Sequence, residues 1–253
     1  MRAKLLAVTV LASGLLAAAG PPTSTGYLGS SVPDTLRILP PAPVAGTTRY
    51  EADRTTFLAT RKLQGTKRWN MAKGDDNSAA ILKDLSCAIG VELTARNAPT
   101  LATMIPKVGR DSSAATNYPK DVHQRKRPFL IDEGAICLTP APTSYDYPSG
   151  HNTWGWTVGL IMAELAPDRA TEILVRAKAF GESRLVCGVH SLSAVEAGRM
   201  NGSIVVAALH GQAAFRSDME TARAEVAAAR KAGTAPDAAM CAAEAELTAV
   251  SPY

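Results

Sequence analysis

The stretch of residues 148–165 constrains the fold of this chain more than any other part of it. Proline and glycine interrupt regular structure at its start, and an apolar run from Trp154 to Leu165 then predicts a helix. The tetrapeptide Pro148-Ser149-Gly150-His151 therefore stands at a helix N-terminus, where free backbone N–H groups and the helix dipole favour an anion. Its serine adds a hydroxyl donor, its glycine lets the backbone approach a ligand, and its histidine can hold a proton. These features predict a phosphate site with an acid beside it.

The rest of the chain also predicts helices. Asp111 to Tyr118 is polar and predicts a loop, and Gly181 predicts a break before the residues that follow it. Ser217 to Glu220 is a capping box and predicts the start of the last helix. Alternating strand patterns are scarce, so the predicted fold is all-α, a single-domain helical bundle. The other predicted helices are Thr47–Leu63, Asn77–Ala95, one that starts at Leu101, and Leu192–Leu209.

The first residues have the composition of a secretory signal peptide. A basic start precedes an apolar run from Leu5 to Ala19, which is shorter than a membrane span of about 20 residues. We expect residues 1–19 to be removed on export, which places the mature protein in the periplasm or outside the cell. Residues 20–46 are rich in Pro, Ser, Thr and Gly and predict an extended arm. Residues 47–253 then correspond to about one large domain.

Charge and hydropathy limit the classes of partner. Beyond the N-terminal run, no stretch of about 18 or more apolar residues appears, so the sequence predicts no membrane insertion. The net charge of +4 is modest and is not concentrated in a tail. Such a charge suits an anionic substrate and does not indicate nucleic-acid binding.

The chain has four cysteines, which are Cys87, Cys137, Cys187 and Cys241. An even number in an exported protein favours two disulfides, with three pairings that the sequence leaves open. Four buried free thiols are the alternative. The sequence has no Cys-x2-Cys motif or clustered Cys/His spacing that would indicate a zinc site.

Two further blocks flank the central tetrapeptide. Lys120 and Arg127-Pro128 lie upstream of it, and Ser183-Arg184 lies downstream, followed after five residues by His190. In this order and at these spacings, the three blocks resemble the signature of the type 2 phosphatidic acid phosphatase superfamily, which also includes the vanadium haloperoxidases. Within that superfamily the chain looks most like the secreted bacterial class A non-specific acid phosphatases. The similarity extends from about residue 48 to the last long helix.

The resemblance implies a phosphate site built from residues of all three blocks. Lys120, Arg127 and Arg184 would hold the phosphate oxygens. Arginine suits this role because its planar guanidinium donates two hydrogen bonds at once. Ser149 and the N–H group of Gly150 would complete the site.

The resemblance also assigns the chemistry to two histidines. His190 would attack phosphorus and become a phosphohistidine, while His151 would protonate the leaving alkoxide and later activate water. With pKa values of about 6.5, one histidine can be neutral and the other protonated at mildly acidic pH. Ser183 is expected to be a supporting hydroxyl, and no metal or other cofactor is required. We expect His123 and His210 to be structural.

One position departs from the family pattern. The family closes its third block with an Asp four residues after the nucleophile, where this chain has Ala194. That Asp would fix the histidine tautomer, and its loss could cost about 10²- to 10⁴-fold in rate. Glu196 would lie nearly on the opposite face of a helix that starts at His190, and Ser191 or Ser193 would be a poor substitute. An alanine at this position is consistent with three kinds of protein: a slow natural variant, a paralogue without turnover and an engineered enzyme.

The sequence therefore predicts a secreted phosphomonoesterase of broad specificity, slowed if nothing replaces the Asp of the third block, with phosphate monoesters or inorganic phosphate as its ligands. A phosphate-binding paralogue with impaired catalysis is the alternative. A vanadium haloperoxidase is a more distant third, because those enzymes are generally longer and their histidine ligates vanadate. The family and the apolar surplus of the long helices also suggest a homodimer.

Overall fold

A computed structural model describes residues 23–233 and 235–253, so the predicted signal peptide, residues 1–19, lies outside the described residues. The described residues form helices and no strand, which confirms the all-α prediction. None of the helices in this part of the chain is long and apolar enough to cross a membrane. The α-helices are α1 (Thr48–Thr60), α2 (Lys67–Gly74), α3 (Ile81–Asp84), α4 (Ser86–Ile89), α5 (Pro99–His123), α6 (Gly150–Leu165), α7 (Ala170–Val186), α8 (Leu192–Leu209), α9 (Ala213–Ala232) and α10 (Ala238–Thr248).

Helix α6 lies at the centre of the bundle and packs against α5, α7, α8 and α9. Small residues allow α8 to approach it closely. A Cβ atom at Gly198 would lie 2.7 Å from the carbonyl oxygen of Ser149, and one at Gly202 would lie 2.9 Å from that of Thr153. A side chain at either glycine would push the two helices apart, because interiors are close-packed. The glycines of α8 therefore set its distance from the N-terminal turn of α6.

The main hydrophobic core surrounds α6 and is built largely from α5, α7, α8 and α9. Complete burial of one large apolar side chain stabilises a fold by about 1.5–3 kcal/mol relative to its exposed state. This core therefore fixes the helices that place the site. Among its largest fully buried side chains are Leu101, Met104, Ile161, Met162, Phe180 and Phe215.

Helix α5 is longer than the sequence predicts, and the loop predicted for residues 111–118 is wrong. Asp111 is fully buried, and its carboxylate accepts the backbone N–H groups of Tyr27 and Leu28 at 2.8 and 3.1 Å. At least one polar side chain of this stretch therefore contacts a distant part of the chain. Tertiary contacts override the local preference for a loop.

Three smaller helix predictions are also wrong. The helix predicted over Asn77–Ala95 is broken into a 3-10 turn and the short α3 and α4, and it ends at Gly90, whose φ is +86°. Gly181 does not break the chain but lies inside α7, where the side chain of Asn152 occupies the space that a Cβ atom would need. The last long helix begins at Ala213, ahead of the predicted capping box, and α10 follows it.

The described part of the predicted arm lies against the bundle. The Thr35 hydroxyl donates to the carbonyl oxygen of Ala115 in α5 at 2.6 Å. The hydroxyl of Tyr147, just before α6, donates to the carbonyl oxygen of Pro40 at 2.6 Å. These contacts attach the arm to the two segments that flank the site.

The cysteines form two disulfides, Cys87–Cys241 and Cys137–Cys187, with Cα–Cα distances of 5.3 and 4.7 Å. This confirms the disulfide prediction and resolves its pairing. The first bond joins α4 to α10, and the second joins the segment before α6 to the residue that follows α7. The second bond therefore lies close in sequence to the third block.

Candidate active site

The predicted site residues meet at one cleft with a volume of about 1050 Å³. Of the eight residues, only Ser149 and Ser183 are not on its wall. The remaining six come from the end of α5, the segment after it, the start of α6, the end of α7 and the turn before α8. They are Lys120, Arg127, Gly150, His151, Arg184 and His190.

The N-terminus of α6 brings Gly150 and His151 to the cleft. Ser149 is the N-cap of this helix, and its hydroxyl oxygen accepts the N–H of Asn152 at 3.3 Å. Its own N–H donates to the carbonyl oxygen of Ala194 at 2.9 Å, and the residue is fully buried. Ser149 thus holds the helix start in place directly behind Gly150, with its hydroxyl hydrogen still available to donate.

Lys120 and Arg127 do not share a helix face, because α5 ends at His123. They converge through the segment before α6 instead. The Lys120 ammonium donates to the Tyr145 carbonyl oxygen at 2.7 Å. Arg127 donates to the carbonyl oxygen and the hydroxyl of Ser144 at 2.6 and 2.9 Å. Burial, with repulsion from neighbouring guanidinium groups, lowers the pKa of Lys120 to about 8.

Arg184 lies in the last turn of α7 and donates to the carboxylate of Asp76 at 2.6 Å. Its Nε atom is shielded from solvent and has no hydrogen-bond partner among the described residues. Ser183 is turned away from the cleft, accepts from Arg68 at 2.9 Å and donates to Asp75. Because Asp75 and Asp76 are consecutive, Ser183 helps to hold the segment that pairs with Arg184.

The ring of His151 stacks on Phe180, with centroids 4.3 Å apart and planes inclined by 10°. Its Nε2 atom is shielded from solvent and has no partner in the described part of the chain. Burial, and then the charges of Arg184 and His190, hold the pKa of His151 well below its usual value. The imidazole is therefore neutral at neutral pH, with one nitrogen free to exchange a proton.

Both ring nitrogens of His190 have partners. Nδ1 lies 2.9 Å from the Asp146 carboxylate, and an Arg127 N–H donates to Nε2 at 3.3 Å. A guanidinium can only donate, so Nε2 bears a lone pair and Nδ1 bears the hydrogen. Burial and the charges of Arg127, Lys120 and Arg184 hold the pKa of His190 well below its usual value. The ring is a neutral base with a defined tautomer.

The electrostatics of the cleft suit a phosphate ester. Three cationic side chains surround two neutral imidazoles, and the N-terminus of α6 points at the same space. Such groups hold a phosphate dianion and stabilise the charge on its equatorial oxygens during transfer. Within the described residues, no group of three or more His, Cys, Asp or Glu side chains could hold a metal ion.

Comparisons with known proteins identify the family of the chain. Residues 101–218 match the family model described as PAP2 superfamily. The chain is 42% identical over 226 residues to an acid phosphatase of Zymomonas mobilis, which covers 87% of this chain and 84% of that protein. It is 32% identical over 205 residues to a non-specific acid phosphatase of Providencia stuartii, which covers 78% and 83%. The chain belongs to the acid phosphatases of the PAP2 superfamily.

Membership of the PAP2 superfamily confirms the family that the three blocks predict. The matched region contains every predicted site residue, from Lys120 to His190, and also position 194. A third relative, a non-specific acid phosphatase of Salmonella typhimurium, is 29% identical over 195 residues, which cover 74% of this chain and 78% of that protein.

One expectation about this PAP2 protein needs correction. The sequence, with Ala194 in place of the family's Asp, leaves His190 without an orienting carboxylate, but Asp146 contacts Nδ1 from the segment before α6. Ser191 does not replace that carboxylate but donates its backbone N–H and its hydroxyl to it. Glu196 instead pairs with an arginine at the surface. A signal was present in the sequence, since an acidic residue lies two positions before the central block, but the chain order gives no sign of which histidine it meets.

Proposed function

We propose that the protein hydrolyses phosphate monoesters in two steps, through a phosphohistidine at His190. The main support is the state of that histidine, whose Nε2 lone pair lies in a cleft lined by Lys120, Arg127 and Arg184 while its Nδ1–H is bound by Asp146. A neutral imidazole with a defined tautomer is a nucleophile, and the cations hold the group that it attacks. The acid phosphatases to which the chain is similar support the same activity.

In the first step, the Arg127 N–H that Nε2 of His190 accepts turns to a phosphate oxygen, the freed Nε2 lone pair attacks phosphorus, and the bond from phosphorus to the ester oxygen breaks. The leaving oxygen takes a proton from His151, which must therefore be an imidazolium when the bond breaks. A bound phosphate dianion opposes the positive field of Arg184 and the other cations, so substrate binding raises the pKa of His151 from its low value without phosphate. A mildly acidic pH favours the same protonated form.

In the second step, water attacks phosphorus and gives a proton to the now neutral His151. The bond between phosphorus and Nε2 breaks, which returns His190 to its neutral form and releases phosphate. The positive charge on the His190 ring during the intermediate is stabilised by the Asp146 carboxylate at 2.9 Å from Nδ1.

The rest of the cleft supports a broad choice of leaving group. Its wall includes Leu82, Ile105 and Trp154, and Arg110 supplies a charge at the same wall. Apolar walls of this kind accept groups by size and shape, and they discriminate weakly between similar ones. Export to an oxidising compartment is supported by the N-terminal composition and by the two disulfides.

Trapping the intermediate tests this proposal. The mature protein is mixed with p-nitrophenyl phosphate and quenched with alkaline denaturant, because phosphohistidine is labile in acid, and the peptides are examined by mass spectrometry. We expect phosphate on His190 in the wild type and none in His190→Ala. The label should accumulate in His151→Ala, since nitrophenolate leaves without an acid whereas the second step still needs a base. Turnover without any labelled histidine would exclude the two-step mechanism.

The same experiment decides between turnover and binding. The alternative of a phosphate-binding paralogue rests on the absence of an orienting carboxylate, and the contact between Asp146 and His190 removes that reason. Phosphate binding without release of nitrophenol would favour the alternative. Activity that persists in a chelator is expected, since no metal takes part in the proposed steps.

A further inference from the structure

We propose that Asp146 is the positioning residue of the nucleophile, so that the segment before α6 has taken over the role that the family pattern gives to position 194 of α8. This inference rests on the proposed function in so far as His190 is the nucleophile. It concerns how the ring is held and which part of the chain holds it.

The contacts of Asp146 match that role. The residue is fully buried, and one carboxylate oxygen lies 2.9 Å from Nδ1 of His190 and accepts the backbone N–H of Ser191 at 3.1 Å. The other oxygen accepts the Ser191 hydroxyl. The carboxylate is thus bound on both oxygens by the histidine and by the residue that follows it. Such a carboxylate selects the Nδ1–H tautomer and limits rotation of the ring.

Burial raises the pKa of Asp146, and a buried counter-charge partly offsets that cost of burying the carboxylate. Arg125 lies 3.4 Å from it, donates to the hydroxyls of Ser191 and Ser193 at 2.8 and 2.6 Å, and pairs with Asp53 of α1 at 2.7 Å. A buried charge is tolerated when it is paired and hydrogen-bonded. The network therefore connects α1, the segment after α5 and the start of α8 to the carboxylate that contacts the histidine.

Three consecutive residues hold three of the site side chains. Ser144 binds Arg127, the Tyr145 carbonyl oxygen binds Lys120, and Asp146 binds His190. The nucleophile and two of the three cations are therefore oriented by one short segment. Because Asp146 is on the same segment as the groups that hold Lys120 and Arg127, His190 keeps a constant position relative to the phosphate that these cations bind.

Position 194 cannot share this role in the present chain. Ala194 is fully buried in a small apolar cluster with Tyr147 and Ala197, and its carbonyl oxygen accepts the N–H of Ser149. No polar group of its side chain reaches the histidine, since alanine has none. Among the described residues, the carboxylate that contacts His190 comes from residue 146.

The test compares Asp146→Asn with Asp168→Asn, a control at an exposed aspartate that pairs with Arg230. Asparagine has the size of aspartate, but it lacks the charge and can favour the wrong tautomer. We expect kcat for p-nitrophenyl phosphate to fall by about 10²- to 10⁴-fold in Asp146→Asn and to stay within about threefold in the control. The affinity of Asp146→Asn for inorganic phosphate, measured by calorimetry, should be retained, because the substitution removes a negative charge that repels the bound phosphate.

A spectroscopic readout separates positioning from catalysis. In the wild type, the Nδ1 proton of His190 should give a strongly downfield NMR signal, assigned by its loss in His190→Ala, and it should shift upfield or vanish in Asp146→Asn. If the wild type has no turnover, the proposed function fails while this signal still tests the contact. Near-normal kcat in Asp146→Asn, or an unchanged downfield signal, would overturn the inference. Circular dichroism and the thermal midpoint show whether the variant is folded. If it is not, the presence or absence of the downfield signal in the wild type decides.

Discussion

The two sides of the cleft hold their histidines in different ways. On one side, Asp146 and Arg127 contact both ring nitrogens of His190. On the other, the ring of His151 stacks on Phe180, and its Nε2 atom has no partner among the residues described. A nucleophile must present one lone pair in a constant direction, whereas an acid–base group must gain and lose a proton. Both ring nitrogens of the nucleophile therefore have partners, whereas the acid–base group keeps one nitrogen free for proton exchange.

The largest effect should come from the acid–base side when the leaving group is poor. His151→Ala should lower kcat/KM for an alkyl phosphate by about 10²- to 10⁴-fold, because an alkoxide needs a proton to leave. The loss in kcat/KM for p-nitrophenyl phosphate should be much smaller, since nitrophenolate is stable without one. Steady-state rates on both substrates measure this.

A matched variant on the nucleophile side sharpens that comparison. Loss of the His190 side chain removes the attacking atom, so His190→Ala should lower the rates on both substrates by similarly large factors. If His151→Ala affected the two substrates equally, the assignment of the proton to His151 would be wrong.

The next effect concerns position 194. In Ala194→Asp, a second carboxylate would be buried in the apolar cluster with Tyr147, close in the chain to a site that already has Asp146. We expect the free energy of unfolding to fall by about 1–3 kcal/mol. We also expect kcat to change by less than about threefold, because the nucleophile is already oriented. Urea unfolding and aryl phosphate kinetics measure the two quantities, and a large gain in kcat would show that Asp146 does not suffice.

A smaller effect is expected where a carboxylate competes with the substrate. Asp76 is partly exposed and binds Arg184 at 2.6 Å, so an incoming phosphate shares or displaces that contact. Asp76→Asn should tighten inorganic phosphate binding by up to about fivefold, the range of an exposed ion pair. Calorimetry measures it, with Asp168→Asn as the exposed control. Weaker binding in Asp76→Asn would mean that this carboxylate positions Arg184 rather than competing for it.

The smallest expected effect is on the pH dependence of the free energy of unfolding. Burial holds the pKa values of His151 and His190 well below about 6.5, so below that pH these two histidines bind protons in the unfolded chain and stay neutral in the folded protein. Their contribution to the free energy of unfolding is present above about pH 6.5 and is lost as the pH falls below it. In His151→Gln that loss should be smaller, as urea unfolding at neutral and mildly acidic pH can show. If the free energy of unfolding fell by the same amount in the wild type and in His151→Gln, the low pKa of His151 would be contradicted.

Local signals in the sequence were sufficient for several features of the site. The block 148–151 predicts a helix start, and Ser149 is the N-cap of α6. Hydrophobic spacing predicts α8 with its observed bounds, Leu192–Leu209. These features depend on residues close together in the chain, which is why a pattern can show them.

Local signals failed where a distant contact changes the meaning of a residue. The polar stretch at 111–118 is helical because Asp111 is buried against Tyr27 and Leu28, more than 80 residues earlier in the chain. Ser183, by contrast, is expected only as a supporting hydroxyl, and it donates to Asp75, next to the Asp76 that pairs with Arg184. The period of a helix separates neighbours in sequence onto different faces.

The sequence by itself determined the all-α class, the family and six of the residues that line the cleft, because each depends on residue types and spacings within short blocks. Only the tertiary structure decided how His190 is held. Asp146 lies 44 residues before it in the chain and contacts it at 2.9 Å. That pairing results from the packing of α8 against α6 and from the buried Arg125 beside the carboxylate, and neither leaves a local pattern in the chain. The absence of an Asp at position 194 is visible in the sequence, but its replacement is visible only in the fold.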